Sequence, residues 1–160
     1  METGETRQLL QALKDAMSGH HAHIDFDAAI DDFPPDLRGI RPPGAPHTPW
    51  QLLEHMRIAQ WDILEFSRDA KHRSPKWPAG YWPETEAPPS DDAWDKSVAA
   101  FRRDHAEMIV FLDEGSENLF KRFPHGDGQT ALREVLLIAN HNSYHLGQLV
   151  FLKKLLSAAA

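Results

Sequence analysis

The stretch LLIANHNSYHLGQLVFL, residues 136–152, belongs to the last of four segments in which apolar residues recur every three or four positions. That period is typical of an amphipathic α-helix, and we predict a helix from about Thr130 to about Leu156. Within it His141 and His145 are four residues apart, so they lie about 40° apart on one face, one turn from each other. The residues within about 60° of His141 on the helical wheel are Leu137, Ile138, Gln148 and Leu152. Both histidines are therefore predicted to point into a core.

Two further helices are predicted in the first half of the chain. The first runs from about Thr6 to about Ile24, with an apolar stripe along one side. The second begins at Thr48, the predicted N-cap, with Pro49 as the first helical residue and Gln51 completing a capping box. The sequence around residue 48 thus marks a sharp helix start.

The third of the four helices is predicted to begin at Ser90, as N-cap, and to end at Gly115. Most of the 12 prolines lie between the helices, in two long connections, Pro34–Pro49 and Pro75–Pro89. Solvated linkers rarely carry much aromatic surface, so we expect the segment Trp77–Trp82, which contains two Trp and a Tyr, to fold back over the helices and form a pocket wall. The sequence predicts an all-α fold, a four-helix bundle with long Pro-rich crossover loops, as a single domain over residues 1–160.

Composition limits the classes of function. The 24 acidic and 17 basic residues give a net charge of −7, and no Lys/Arg stripe is present, which disfavours nucleic acid and anionic membrane surfaces as partners. The absence of cysteine excludes disulfides, thiolate metal sites and a cysteine nucleophile. The N-terminus is polar, and no apolar run approaches the ~20 residues of a membrane-spanning helix. We therefore expect a cytoplasmic protein.

Ten of the 160 residues are histidine, the commonest protein ligand of transition metals. His55 lies in line with Ala59 and Phe66 on the second helix, so its ring is also predicted to point inward. Buried neutral imidazoles need partners for both ring nitrogens, and a metal satisfies one nitrogen of each ring. We predict that His55, His141 and His145 bind one divalent metal ion; hydrogen-bonded core histidines are the alternative reading of the same pattern.

Two other histidines fall on predicted inward stripes. His105 lies on the Phe101–Met108 stripe of the third helix, and His20 lies on the Leu13–Met17 stripe of the first. Each is a candidate fourth ligand, general base or hydrogen-bonded core residue, and the sequence leaves these alternatives open. The remaining histidines flank that stripe or lie in or beside loops, and we assign them no role: His21, His23, His47, His72 and His125.

Few other side chains near the predicted site can move protons. Asp62 lies two turns beyond the histidine of the second helix, too far to bind the same ion but suited to support a ligand or contact a substrate. Tyr144 flanks the histidine face of the last helix, and Gln148 lies on it. Glu134 shares that face two turns earlier and is expected at the mouth of the cavity.

The segments TPWQLLEH, residues 48–55, and NHNSYHLGQ, residues 140–148, resemble the two histidine motifs of the DinB/YfiT-like superfamily. The resemblance extends over nearly the whole chain in helix number and loop length. It implies a four-helix bundle with a three-histidine site at one end, usually for zinc or nickel and sometimes for manganese or iron. Known members include S-transferases and isomerases that use low-molecular-weight thiols, and homodimers are frequent. The cluster His20-His21-Ala22-His23 is not part of the family pattern.

Three protein nitrogens leave coordination positions open, as in catalytic metal sites, although imidazole serves zinc, nickel, copper and iron alike. Such an ion activates bound water or a bound thiol, and without cysteine any thiolate must come from a cosubstrate. We therefore expect a metal-dependent transferase or hydrolase of a small molecule, with a thiol as the candidate cosubstrate. The alternatives are a non-catalytic metal- or ligand-binding bundle and a structural metal in a dimer. The paired Glu-x-x-His motifs of a di-iron carboxylate bundle are absent.

Overall fold

A computed structural model of the protein describes residues 4–19 and 22–159. This part of the chain contains five α-helices and no strand, with one isolated antiparallel bridge between Arg122 and Thr130. The helices are α1 (Gly4–Ser18), α2 (Phe26–Ile30), α3 (Pro49–Arg68), α4 (Ala93–Glu114) and α5 (Ala131–Ala159). Single 3₁₀ turns occur at Pro35–Leu37, Ala79–Tyr81 and Ser116–Asn118. None of the described helices has both the length and the apolar composition needed to cross a membrane.

The four long helices pack as a bundle. Helix α3 packs against α4 and α5, and α1 packs against the same two neighbours on the other side, so the four enclose a common interior. The short helix α2 lies between α1 and the first long connection and contacts α5. The predicted all-α fold is confirmed.

The start of α3 is fixed by the predicted capping box. The Thr48 hydroxyl oxygen accepts from the Gln51 amide at 3.2 Å, and the Gln51 side-chain oxygen accepts from the Thr48 amide at 3.1 Å. The Thr48 hydroxyl also donates to the carbonyl of Glu86 at 2.6 Å, and the Trp50 indole donates to Thr85 at 3.1 Å. The second long connection is therefore tied to the beginning of α3.

Two predicted helix boundaries are wrong. Helix α1 ends at Ser18 and not near Ile24, because Gly19 adopts φ +75°, a left-handed conformation that ends a helix readily when the residue is glycine. Helix α4 begins at Ala93, with Asp92 at the N-cap position. Ser90 does not cap it, because its hydroxyl donates to the Asp92 carboxylate at 2.7 Å instead of accepting from a helix amide.

The core has two apolar halves along the bundle axis. The half near the start of α3 contains Trp50, Leu53, Met56, Trp94 and Leu149. The other half contains Leu10, Leu64, Met108, Val135 and Ile138. Gln60 and Asn142, both buried, lie along α3 and α5 between the residues of these two halves. A polar layer thus crosses the middle of the core.

Candidate metal centre

The structure brings together the three histidines predicted from the two motifs. His55 comes from α3, and His141 and His145 come from successive turns of α5. One ring nitrogen from each lies within 4.8 Å of the other two, and the Nε2 atoms of His55 and His141 are 3.0 Å apart. The exposed fractions of His55 and His145 are 3% and 9%, and His141 is half-buried, so little of the cluster faces solvent.

The outer nitrogens of two of these rings hydrogen-bond to protein oxygens. His55 Nδ1 lies 2.8 Å from the backbone carbonyl oxygen of Tyr81, and His145 Nδ1 lies 2.9 Å from the side-chain oxygen of Gln148. A carbonyl oxygen only accepts, so Nδ1 of His55 carries the proton and its Nε2 keeps a free lone pair. Both rings thus hold their inner nitrogens ready to bind a cation.

The arrangement fits a transition-metal ion. Nitrogens around a tetrahedral ion, at about 2.0–2.1 Å from it, lie roughly 3.3 Å from each other. The His55–His141 pair, at 3.0 Å, already has close to this separation, and the ligand nitrogen of His145 lies no more than 4.8 Å from the other two. Among the described residues no fourth histidine or carboxylate joins this group.

Burial favours the neutral, metal-binding form of the rings. It lowers the pKa of His55 and of His141 to about 4, with a smaller contribution from repulsion between neighbouring histidines. It also lowers the pKa of His145. At neutral pH the three imidazoles are therefore uncharged, so a cation is not repelled by imidazolium charge.

Trp82 packs directly against the cluster. Its ring stacks on His55 with centroids 3.8 Å apart and an interplanar angle of 2°, and on His47 at 3.8 Å and 16°. Two rings this close to one centroid cannot share a face, so the indole lies between them. The expected pocket wall includes Trp82, whereas Trp77 is 73% exposed. His47, to which we assigned no role, lies on the far side of Trp82 from the ligand histidine.

Asp62 does not reach the three rings; it holds the loop beside them. Its carboxylate accepts from the Tyr81 hydroxyl at 2.5 Å and lies 2.7 Å from His72 Nε2. Burial, together with the Asp62 carboxylate, raises the pKa of Tyr81 to about 12. Because the Tyr81 carbonyl accepts from His55, Asp62 supports a candidate ligand through one intermediate residue. The periodicity of α3 placed Asp62 on the correct face, and Tyr81 lies in the segment expected to form the pocket wall. Nothing in the sequence indicated that Tyr81 and His72 bond to Asp62.

The other candidate residues lie around or away from the cluster. Tyr144 is 64% exposed, with its ring centroid 4.9 Å from that of His145. His105 is hydrogen-bonded to the Met17 backbone and lines a separate cavity of about 200 Å³, so it is not brought to the three rings. His20 lies outside the described residues.

Glu134 corrects one expectation. Its side chain is buried and accepts from Arg133 at 2.6 Å, so it does not stand at a cavity mouth. Glu134 does lie on the predicted face of α5. Two turns before the histidines, however, that face is enclosed by the second apolar half of the core and does not border a cavity mouth. The neighbouring arginine neutralises the Glu134 carboxylate there.

Comparison with known proteins identifies the family to which this chain belongs. The profile of the DinB superfamily matches residues 20–149, a stretch that includes both histidine motifs. No match was found among curated proteins or among solved structures. The match covers most of the sequence, and the chain belongs to the DinB superfamily.

Proposed function

We propose that this protein binds one divalent transition-metal ion, zinc or nickel in the first place, through His55, His141 and His145. The observation that carries the proposal is the convergence of three neutral ring nitrogens within 4.8 Å in a shielded part of the bundle. Two of the rings are held by their outer nitrogens, so little reorganisation is needed on binding.

We further propose that the site belongs to an enzyme, a metal-dependent transferase or hydrolase that acts on a small molecule. Three protein donors leave coordination positions open, as catalytic sites require. A bound ion supplies Lewis acidity and lowers the pKa of water or of a thiol beside it. The chain has no cysteine, so a reacting thiolate comes from a low-molecular-weight cosubstrate. The three neutral ligands leave the charge of the ion uncompensated, which favours anionic substrates.

Metal binding is tested by elemental analysis of protein purified without a His-tag. We expect about one ion per chain in the wild type and loss of the ion in His141→Ala. The matched control is His125→Gln, because His125 lies in a distant loop where it bonds to the Phe66 carbonyl. Equal metal content in the wild type and His141→Ala would contradict the proposal.

Catalysis is tested with a thiol and an electrophile. We expect turnover by the metal-loaded wild type and by His125→Gln, and none by His141→Ala. His47→Ala is not a suitable control, because His47 stacks on the indole that contacts His55. Full metal content without turnover across thiols and hydrolysable esters would favour a binding module. Stabilisation by an ion that exogenous ligands cannot reach would favour a structural metal.

A further inference from the structure

Gln60 and Asn142 form a buried polar chain that connects three helices. The exposed fractions of these residues are 1% and 8%. The Gln60 side-chain nitrogen donates to the backbone carbonyl of Phe101 in α4 at 2.8 Å. The Asn142 side-chain nitrogen donates to the Gln60 side-chain oxygen at 2.9 Å. The remaining Asn142 oxygen lies 3.5 Å from Nδ1 of His141.

The direction of this chain is fixed at one end. The Phe101 carbonyl can only accept, so the amide nitrogen of Gln60 must face it and the Gln60 oxygen must face Asn142. That oxygen requires the Asn142 nitrogen, which turns the Asn142 oxygen toward His141. The Phe101 carbonyl of α4 thereby determines that His141 faces the oxygen of Asn142 and not its nitrogen. The orientation of both side-chain amides, which is usually ambiguous, follows from these bonds.

His141 has partners on both sides. Its Nε2 lies 3.0 Å from Nε2 of His55, whose proton is already on Nδ1. A proton on Nε2 of His141 would donate to Nε2 of His55 at this distance, which is shorter than the distance from Nδ1 to the Asn142 oxygen. To bind an ion through Nε2, His141 must carry its proton on Nδ1, where the Asn142 oxygen accepts it.

We propose that Gln60 and Asn142 are positioning residues that stabilise the Nδ1–H tautomer of His141 and so strengthen metal binding. The inference rests on the proposed role of His141 as a ligand. It extends the site from two helices to three, because the Phe101 carbonyl, which orients the Gln60–Asn142 hydrogen-bond chain, belongs to α4. Buried polar groups that are all satisfied serve such a role at little cost to the fold.

The test measures zinc affinity by chelator competition in the wild type and three variants. We expect Asn142→Leu to weaken zinc binding by about 10- to 100-fold, the range found when groups behind metal ligands are removed. The double variant Gln60→Met/Asn142→Leu removes both polar partners together, which protects the fold, and should show the same loss as Asn142→Leu. Ser67→Ala, which removes a buried hydroxyl bonded to the Ile63 carbonyl away from this chain, is the control.

A second measurement separates positioning from general stability. In nitrogen-15 NMR spectra of the zinc-loaded protein, the Nδ1–H proton of His141 should exchange slowly in the wild type and rapidly in the double variant. The Nδ1–H proton of His55, bonded to the Tyr81 carbonyl, serves as the internal reference and should not change. Unchanged affinity and unchanged His141 exchange in the double variant would overturn the inference while leaving the metal site intact. A wild type that binds no zinc would overturn both proposals.

Discussion

At the scale of single residues, the three histidines share one physical condition. Each ring is desolvated, so none can easily hold a positive charge of its own, and each presents one ring nitrogen to the others. Such a set is stable in water only where a cation or a shared proton lies between the rings. The same burial that makes protonation unfavourable therefore makes metal binding favourable.

We predict that the metal-free protein loses stability as the pH falls from about 6.5 toward 4. The pKa values of His55 and His141 are lowered to about 4 in the folded protein, against 6.5 in the unfolded chain. Between these values the unfolded chain binds more protons, so the free energy of unfolding decreases by up to about 1.4 kcal/mol per pH unit for each histidine. Urea denaturation in the presence of a chelator at pH 7.5, 6.5 and 5.5 measures the slope. His141→Gln should have a shallower slope, and equal slopes would contradict the assignment.

We predict that Tyr81→Phe weakens zinc binding by several-fold while the bundle remains folded. The substitution removes only the hydroxyl that donates to Asp62, and with it one bond between this loop and α3. The Tyr81 carbonyl then holds His55 less firmly, at a cost of about 1 kcal/mol. Chelator competition measures the affinity, and Lys76→Ala, an exposed change in the same loop, is the control. An unaltered affinity in Tyr81→Phe would show that the loop does not support the ligand.

At the scale of elements, periodic helices could be predicted from the sequence and irregular segments could not. The spacing of His141 and His145 placed both on the inward face of α5, and the same logic placed His55 and Asp62 on α3. The buried position of Gln60 could have been predicted from the sequence, since it is a polar residue on the apolar stripe of α3, four residues after Met56. The positions of Trp82 and His47 depend on the path of two long connections, which no repeat in the sequence encodes.

We predict that Thr48→Ala destabilises the protein by about 1–2 kcal/mol, the upper range for loss of an N-cap. The substitution removes the capping bond to Gln51 and also the bond to the Glu86 carbonyl that ties down the second connection. Chemical denaturation measures the effect. Ser90→Ala is the matched control, because Ser90 was the expected cap of α4 but does not cap it. Its free energy of unfolding should differ from that of the wild type by no more than about 0.5 kcal/mol. Similar losses in the two variants would contradict this account of the caps.

At the scale of the whole molecule, α5 has an exposed apolar stripe beside its histidine face. The histidine face supplies two ligand candidates to the interior. The stripe that borders it consists of large, partly exposed side chains seven residues apart: Leu137, Tyr144 and Phe151. Exposed apolar stripes of this kind are typical of association surfaces. The homodimer expected from the family resemblance remains a prediction, and this stripe is its best candidate surface.

We predict that Phe151→Ser shifts the protein toward the monomer in light-scattering measurements across a concentration series. Phe151 is 65% exposed, so the substitution removes apolar surface without opening the core. Phe120→Ser is the matched control, because Phe120 is 70% exposed but lies outside the stripe. A wild type that stays monomeric at every concentration, or a dimer that both variants retain, would exclude this surface.

The indole between His47 and His55 also gives the protein an intrinsic optical reporter. Trp82 lies in van der Waals contact with a candidate ligand, whereas Trp50, Trp61, Trp77 and Trp94 do not stack on any ring of the cluster. A paramagnetic ion such as nickel(II), bound behind His55, would quench the fluorescence of this one tryptophan far more strongly than that of the others. Occupancy of the centre could then be followed by emission in real time, without a label, and Trp82→Phe would remove the signal.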